Sequence, residues 1–199
     1  MDKAHFDFLD PGPLVDEELE LVEPSQHLVA PLLAAIRHPL TQRHFPAERS
    51  TTRDDLLRFL DRYPRGRQPA DPQRGIVPAY HFWMRLKPQA GAEIEIAGGI
   101  GLRIGNTPHI VLYAGHIGYH VYPPARGRHL ARRATALLLP LARRHGITDL
   151  WITTNPDNIP SRRTCEGLGA TLVETVAVPP DDPLYARGER HKCRYLIRL

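Results

Sequence analysis

Only two cysteines, Cys165 and Cys193, occur among 199 residues, and they lie far apart in the sequence. That excludes a disulfide framework and fits reduced thiols, so stability has to come from a hydrophobic core. No run approaches the roughly 20 consecutive apolar residues of a membrane span, and the opening MDKAHFDFLDPGP has no apolar segment of signal-peptide length. These absences predict a soluble, cytoplasmic protein. Lysine is scarce too, present only at Lys3, Lys87 and Lys192, so arginine is the default cation. A cluster of arginines is therefore weak evidence for nucleic-acid binding, and the aromatics that would stack on bases are not interleaved with it. No G-x-S-x-G pattern is present, which removes the serine-hydrolase option.

What is present suits one domain over residues 1–199, a length that buries roughly 70% of the unfolded surface. The net charge of +4 is unevenly placed. Asp2, Asp7, Asp10, Asp16, Glu17, Glu18, Glu20 and Glu23 make the start acidic, and Arg126, Arg128, Arg132, Arg133, Arg143 and Arg144 make the middle basic. Residues 1–16, with prolines and no period, predict a loose acidic arm able to fold over the domain. Alternation over 18–23 predicts a strand. A helix follows from Ser25 until Pro39, with Leu28, Leu32, Leu33 and Ile36 on one face, and a second from Ser50 or Thr51 to Pro64. Residues 77–86 and 92–104 predict neighbouring antiparallel strands joined by the turn Pro88 to Gly91. Gly98, Gly99 and Gly101 do not open a helix, so they read as a bulged or closely packed strand rather than a dinucleotide loop.

Residues 109–112 predict a short strand or loop, and His116 to Tyr122 a strand closed by two prolines. A helix is expected from about Arg126 to Arg144, bent near Pro140 and stopped at Gly146. Strands over 149–154, 171–178 and 192–199, with a helix over 158–168 between the first two, complete a mixed α/β (α+β) layer fold. Unpaired amides at the start of the long helix suit phosphate oxygens.

The segment HIGYHVYPPARGRHLARRA resembles the acyl-CoA loop of the GNAT superfamily of N-acyltransferases, whose pattern is R/Q-x-x-G-x-G/A. Arg126, Gly127, Arg128, His129, Leu130 and Ala131 match it, five residues after Val121. Asn158, Ser161, Glu166, Leu168 and Gly169 match the family's later Asn-to-Gly segment, and the likeness is greatest to a subgroup of predicted acetyltransferases. The resemblance covers about residues 77–199. It implies a GNAT fold, with a central mixed, mostly antiparallel sheet flanked by helices, and acetyl-CoA as co-substrate of an N-acetyltransferase acting on a primary amine of a small molecule or peptide. Backbone groups of His120 and Val121 would pair with the pantetheine arm, the amides of Arg126 to Ala131 would hold the pyrophosphate, and Asn158 and Ser161 would contact the pantetheine. Two positions depart from the family: His129 replaces its middle glycine, and Cys165 stands where many relatives carry a tyrosine that protonates the leaving thiolate. A non-catalytic acyl-CoA-binding or sensing domain is the alternative these departures leave open.

Acyl transfer to an amine needs a base. His116 and His120 are the candidates, with Glu93 and Glu95 in competition and Cys165 as a candidate acid. The two histidines lie four strand positions apart, roughly 13 Å, too far to share a metal ion. The acidic arm and the loops at 64–76 and 179–190 are expected to border the acceptor pocket, which would suit a cationic amine, and the terminal strand to offer an edge for a homodimer.

Overall fold

The computed structural model describes residues 6–88 and 93–199; apart from Pro88, the expected turn at 88–91 lies outside them. One sheet has β1 (Leu19–Val22), β3 (Ala79–Leu86), β4 (Ile96–Arg103) and β5 (Ile117–Val121) in that spatial order, and the two-residue β2 (Arg67–Gln68) also pairs with β3. A second sheet is ordered β6 (Asp149–Thr154), β8 (His191–Arg198), β7 (Thr171–Ala177). Every pairing within either sheet is antiparallel. The terminal strand β8 is therefore interior and offers no edge. The edge is β7, where Leu172 and Val173 are exposed.

Pleating sends alternate side chains to opposite faces of the first sheet. Tyr80, Phe82 and Met84 of β3, with Ile100 and Leu102 of β4, are buried in the main core. There α4 (Leu130–Arg144) brings Leu130, Ala134, Leu138 and Leu141 to them at helical spacing. The opposite face carries α1 (Val29–Arg37), α2 (Pro39–His44) and α3 (Arg53–Arg62). Pro39 does not simply end a helix: His38 is extended before it, as pre-proline residues prefer, and Pro39 opens α2. Thr52 and Asp55 form a reciprocal capping box that sets the start of α3, just past the expected Ser50 or Thr51.

Residues 6–16 do not hang free. Phe6 stacks on His145, Phe8 meets Tyr80 edge-on, and the Leu9 amide donates to the Tyr80 hydroxyl at 2.7 Å. Asp16 then forms an ion pair with Arg133 at 2.6 Å. Residues 110–114 form a wide helical turn instead of the expected strand or loop. The long helix starts at Leu130, later than the expected Arg126, because Gly127 (φ +83°) and His129 (φ +55°) hold left-handed conformations that a right-handed helix cannot include. It continues through Pro140, which lies on the exposed face where solvent reaches the freed carbonyl of Ala136. Gly146 ends it with φ +77°. The 179–189 loop contains the short α6 (Pro183–Ala186), and α5 (Ile159–Gly167) joins β6 to β7.

Candidate functional site

The two sheets meet between β5 and β6. The His116 amide donates to the Trp151 carbonyl at 2.7 Å, and the Trp151 amide donates to His116 Nδ1 at 2.9 Å. With Nδ1 accepting, the imidazole proton sits on Nε2 and is donated to Asn106 Oδ1 at 3.0 Å. His116 is fully buried, and burial together with the charge of Arg103 drives its pKa down to about 4 despite hydrogen bonds that oppose the shift. Both ring nitrogens are therefore committed, Nδ1 to β6 across the two sheets and Nε2 to the connection that follows β4. That removes His116 as an acceptor of a substrate proton, contrary to the sequence expectation.

Beyond this strap β5 and β6 belong to different sheets, and the edge of β5 away from β4 is left without a ladder. The Arg103 amide donates to the His116 carbonyl and the Tyr122 amide to the Ala97 carbonyl. Antiparallel alternation then points the His116 carbonyl and the backbone groups of Gly118, His120 and Tyr122 at β4, and those of Ile117, Tyr119 and Val121 at the gap. The backbone groups of Val121 and Tyr119 thus face the gap, whereas those of His120 are used in the pairing with β4.

At the far end of β5 lies the loop before α4. The first intrahelical bond is from the Arg133 amide to the His129 carbonyl, and His129 caps without its side chain. The amides of Leu130, Ala131 and Arg132 therefore find no protein acceptor among the described residues, an arrangement suited to anionic oxygens. The arginines contribute less than their number promises. Arg128 pairs with Glu18 at 2.9 Å, Arg133 is held by both Asp16 and Glu18, and Arg126 donates to the Val121 carbonyl at 3.1 Å. The acidic start of the chain thus neutralises Arg128 and Arg133, at the beginning of the helix.

A non-glycine residue in the left-handed region is strained by about 1 kcal/mol or more. His129→Gly is expected to relieve that strain, offset partly by the entropy glycine loses on folding, for a net gain of about 0.5–1 kcal/mol. The melting temperature should rise by about 1–4 °C; an unchanged or lower value in a thermal scan contradicts this account.

On the other side of the gap, Asn158 Oδ1 accepts the Ser161 amide at 3.2 Å and caps α5. The Ser161 hydroxyl meets the Tyr119 hydroxyl at 2.8 Å. Cys165, beneath this pair, is fully buried, and burial above all raises its pKa to about 12. Its thiol is a weaker acid than a free one and is sealed from substrate, so the expected acid role finds no geometric support. Tyr119 is pushed to about 12 for the same reason.

The opposite face of β3, β4 and β5 floors a cleft of about 590 Å³, walled by α1, α3 and the turn at 46–50. His120 opens into it. Its ring is solvent-accessible from the cleft but has protein on its other sides, and this burial lowers its pKa below the ordinary 6.5. Glu48, His81, Arg103 and Tyr122 join it in the lining; Glu93 and Glu95 do not. Neither the acidic arm nor the loops at 64–76 and 179–190 border it, contrary to the sequence expectation. Glu48 and Arg103 were missed because nothing local in sequence marks them: each gains significance only where the cleft brings it to the others. Among the described residues no three His, Cys, Asp or Glu side chains group as metal ligands, and no helix is long and apolar enough to cross a membrane.

The architecture recurs in solved structures. Microcin C7 self-immunity acetyltransferase MccE, in complex with acetyl-CoA and AMP, superimposes with a TM-score of 0.65 at 19% identity, covering 92% of this chain and 94% of its own. RimL, the ribosomal L7/L12 alpha-N-protein acetyltransferase in complex with coenzyme A, gives 0.62 at 18%, covering 93% and 96%. The Salmonella typhimurium acetyltransferase that modifies the N-terminal serine of ribosomal protein L7/L12 gives 0.60 at 19%, covering 92% and 96%. No curated protein matches the sequence. The model of the acetyltransferase (GNAT) domain matches residues 18–171, from β1 through the gap and the unpaired amides of α4 to the start of β7, and the chain therefore belongs to the GNAT acetyltransferase family.

Proposed function

We propose that the protein is an N-acetyltransferase that moves the acetyl group of acetyl-CoA directly to a primary amine. The observation that carries this is the position of β5 between two openings. One edge offers the backbone groups of Tyr119 and Val121 and leads to the unpaired amides of Leu130, Ala131 and Arg132. One face offers His120 to a cleft large enough for a substrate. A thioester laid along the edge and an amine entering from the cleft would meet beside Tyr119 and His120.

The chain's groups divide the work. The Tyr119 and Val121 backbone would pair with the extended pantetheine as an added strand does. The α4 amides would receive the pyrophosphate, a fit helped by loop contacts that are mostly main-chain. The amine nitrogen attacks the thioester carbonyl, its proton passes to His120 Nε2 or Nδ1, and a backbone amide facing the gap steadies the oxyanion. As the C–S bond breaks, the coenzyme A thiolate leaves and takes up a proton, the N–C bond having formed. That proton would be relayed through the hydroxyls of Tyr119 and Ser161, which meet at 2.8 Å.

Binding of acetyl-CoA should stabilise the fold by mass action, about 2.7 kcal/mol at a ligand concentration of 100 Kd. For a chain of this size that is a rise in melting temperature of about 5–10 °C. No shift at millimolar acetyl-CoA overturns the proposal. Release of coenzyme A thiol on adding amines to enzyme and acetyl-CoA separates turnover from mere binding.

A further inference from the structure

The charges lining the cleft are few and unmatched. Glu48, in the turn at 46–50, has a buried carboxylate oxygen that no protein donor reaches among the described residues. The Tyr122 hydroxyl favours the carboxylate from its side of the cleft, but burial outweighs it and raises the carboxyl's pKa. At the other end of β5 lies Arg103, whose guanidinium covers Gly118; a Cβ there would stand 3.4 Å from both Nη atoms. Nη1 donates to the carbonyls of Ala114 and Gly115 at 3.2 and 3.0 Å, and no carboxylate pairs with the guanidinium among the described residues. Burial and the nearby guanidinium hold His81 neutral, with a pKa of about 4. His120 lies between the two charged ends, its ring 5.2 Å from that of Tyr122.

A partly buried charge without a partner is costly, and it is cheapest when the ligand supplies the countercharge. Two such charges of opposite sign in one cleft call for a ligand with both. We infer that the cleft takes a bipolar acceptor, a free peptide amino terminus whose ammonium docks at Glu48 and whose carboxylate, about three residues away, docks at Arg103. The spacing selects this class. Gly118, which the Arg103 guanidinium covers, and Tyr122, beside Glu48, are four residues apart along the chain of β5, about 13 Å, a distance that a ligand of about 10 Å closes with a hydrogen bond at each end. An extended tripeptide spans about 10 Å, whereas a lone α-amino acid is too short to touch both ends. A polyamine would leave Arg103 facing another cation. The ammonium end docks beside His120: it loses one proton to solvent through the open cleft, and His120 takes the one released as the neutral amine attacks. This inference rests on the N-acetyltransferase proposal and narrows its acceptor.

Its test is coenzyme A thiol release with Ala-Ala-Ala, the same tripeptide as its C-terminal amide, and spermidine. The free acid should exceed the amide in kcat/KM by about tenfold or more, a comparison on the wild-type protein that needs no variant. Arg103→Gln should bring the two within about twofold, and Glu48→Gln should raise KM for both peptides about tenfold while KM for acetyl-CoA stays put. The acetyl-CoA thermal shift reports whether each variant is folded. Equal kcat/KM for acid and amide, or a preference for spermidine, overturns the bipolar acceptor alone. No thermal shift with the wild-type protein overturns the acetyltransferase proposal beneath it as well.

Discussion

Gly98→Ala is expected to destabilise the protein by about 3 kcal/mol or more, a large part of the roughly 5–15 kcal/mol that holds a typical domain folded. Gly98 has φ +154°, a conformation L residues rarely adopt, and the new Cβ would lie 2.1 Å from the His120 carbonyl oxygen and 3.0 Å from the Val121 Cα. Those atoms are backbone of β5, so no side-chain rotation relieves the clash; the strand has to move by about 1 Å in a close-packed interior. Gly127→Ala is the matched control. Its φ of +83° imposes comparable local strain, but its Cβ would meet nothing within 4 Å, so the cost should stay near 1 kcal/mol. Denaturant midpoints of the two variants measure the difference. A Gly98→Ala protein within 1 kcal/mol of wild type would mean that β4 and β5 are not held as closely as described.

That glycine also shows where sequence reading works. A triplet of glycines that opens no helix reads as close strand packing, and Gly98 and Gly99 do pack against His120, with a register irregularity nearby in β3. Period and punctuation likewise give β1, β3 to β8 and the cores of α1, α3, α4 and α5, because alternate or helical burial is a local property of the chain. What escapes is set by distant partners. The start of α4 depends on two left-handed residues, one of them a histidine, which residue type alone does not disclose. The arginines around it read as an anion site, yet Asp16 and Glu18, more than 100 positions away, claim Arg133 and Arg128. His116 and His120 are indistinguishable as letters in one strand; a hydrogen bond from β6 makes the first a strap. The interior position of β8 follows from the order of strands in space, which periodicity does not report.

His120→Gln is expected to lower kcat about 10²–10³-fold, in the range for loss of a positioned general base, with KM for acetyl-CoA nearly unchanged. Glutamine approximates the size of imidazole and keeps the backbone that pairs with Gly99, so the strand and the gap edge at Tyr119 and Val121 persist. The pH profile carries the decisive evidence. Burial lowers the His120 pKa, so the neutral, proton-accepting form already prevails at pH 6.5 and is lost only as pH falls through a midpoint below that value. Wild-type kcat should therefore show an acid limb whose midpoint lies under that of free imidazole, and the variant should lack it. The same limb cannot come from His116: with a pKa near 4 and both nitrogens bound, that residue is neutral across the range and has no lone pair to offer. The acceptor's ammonium also gives a limb that is lost as pH falls, but an α-amino group titrates at about 8, so its midpoint lies above that of free imidazole and not below it. A variant that keeps the acid limb, or loses activity only in proportion to lost folded protein, would reduce His120 to part of the cleft wall and shift the proton to Glu48 or to water.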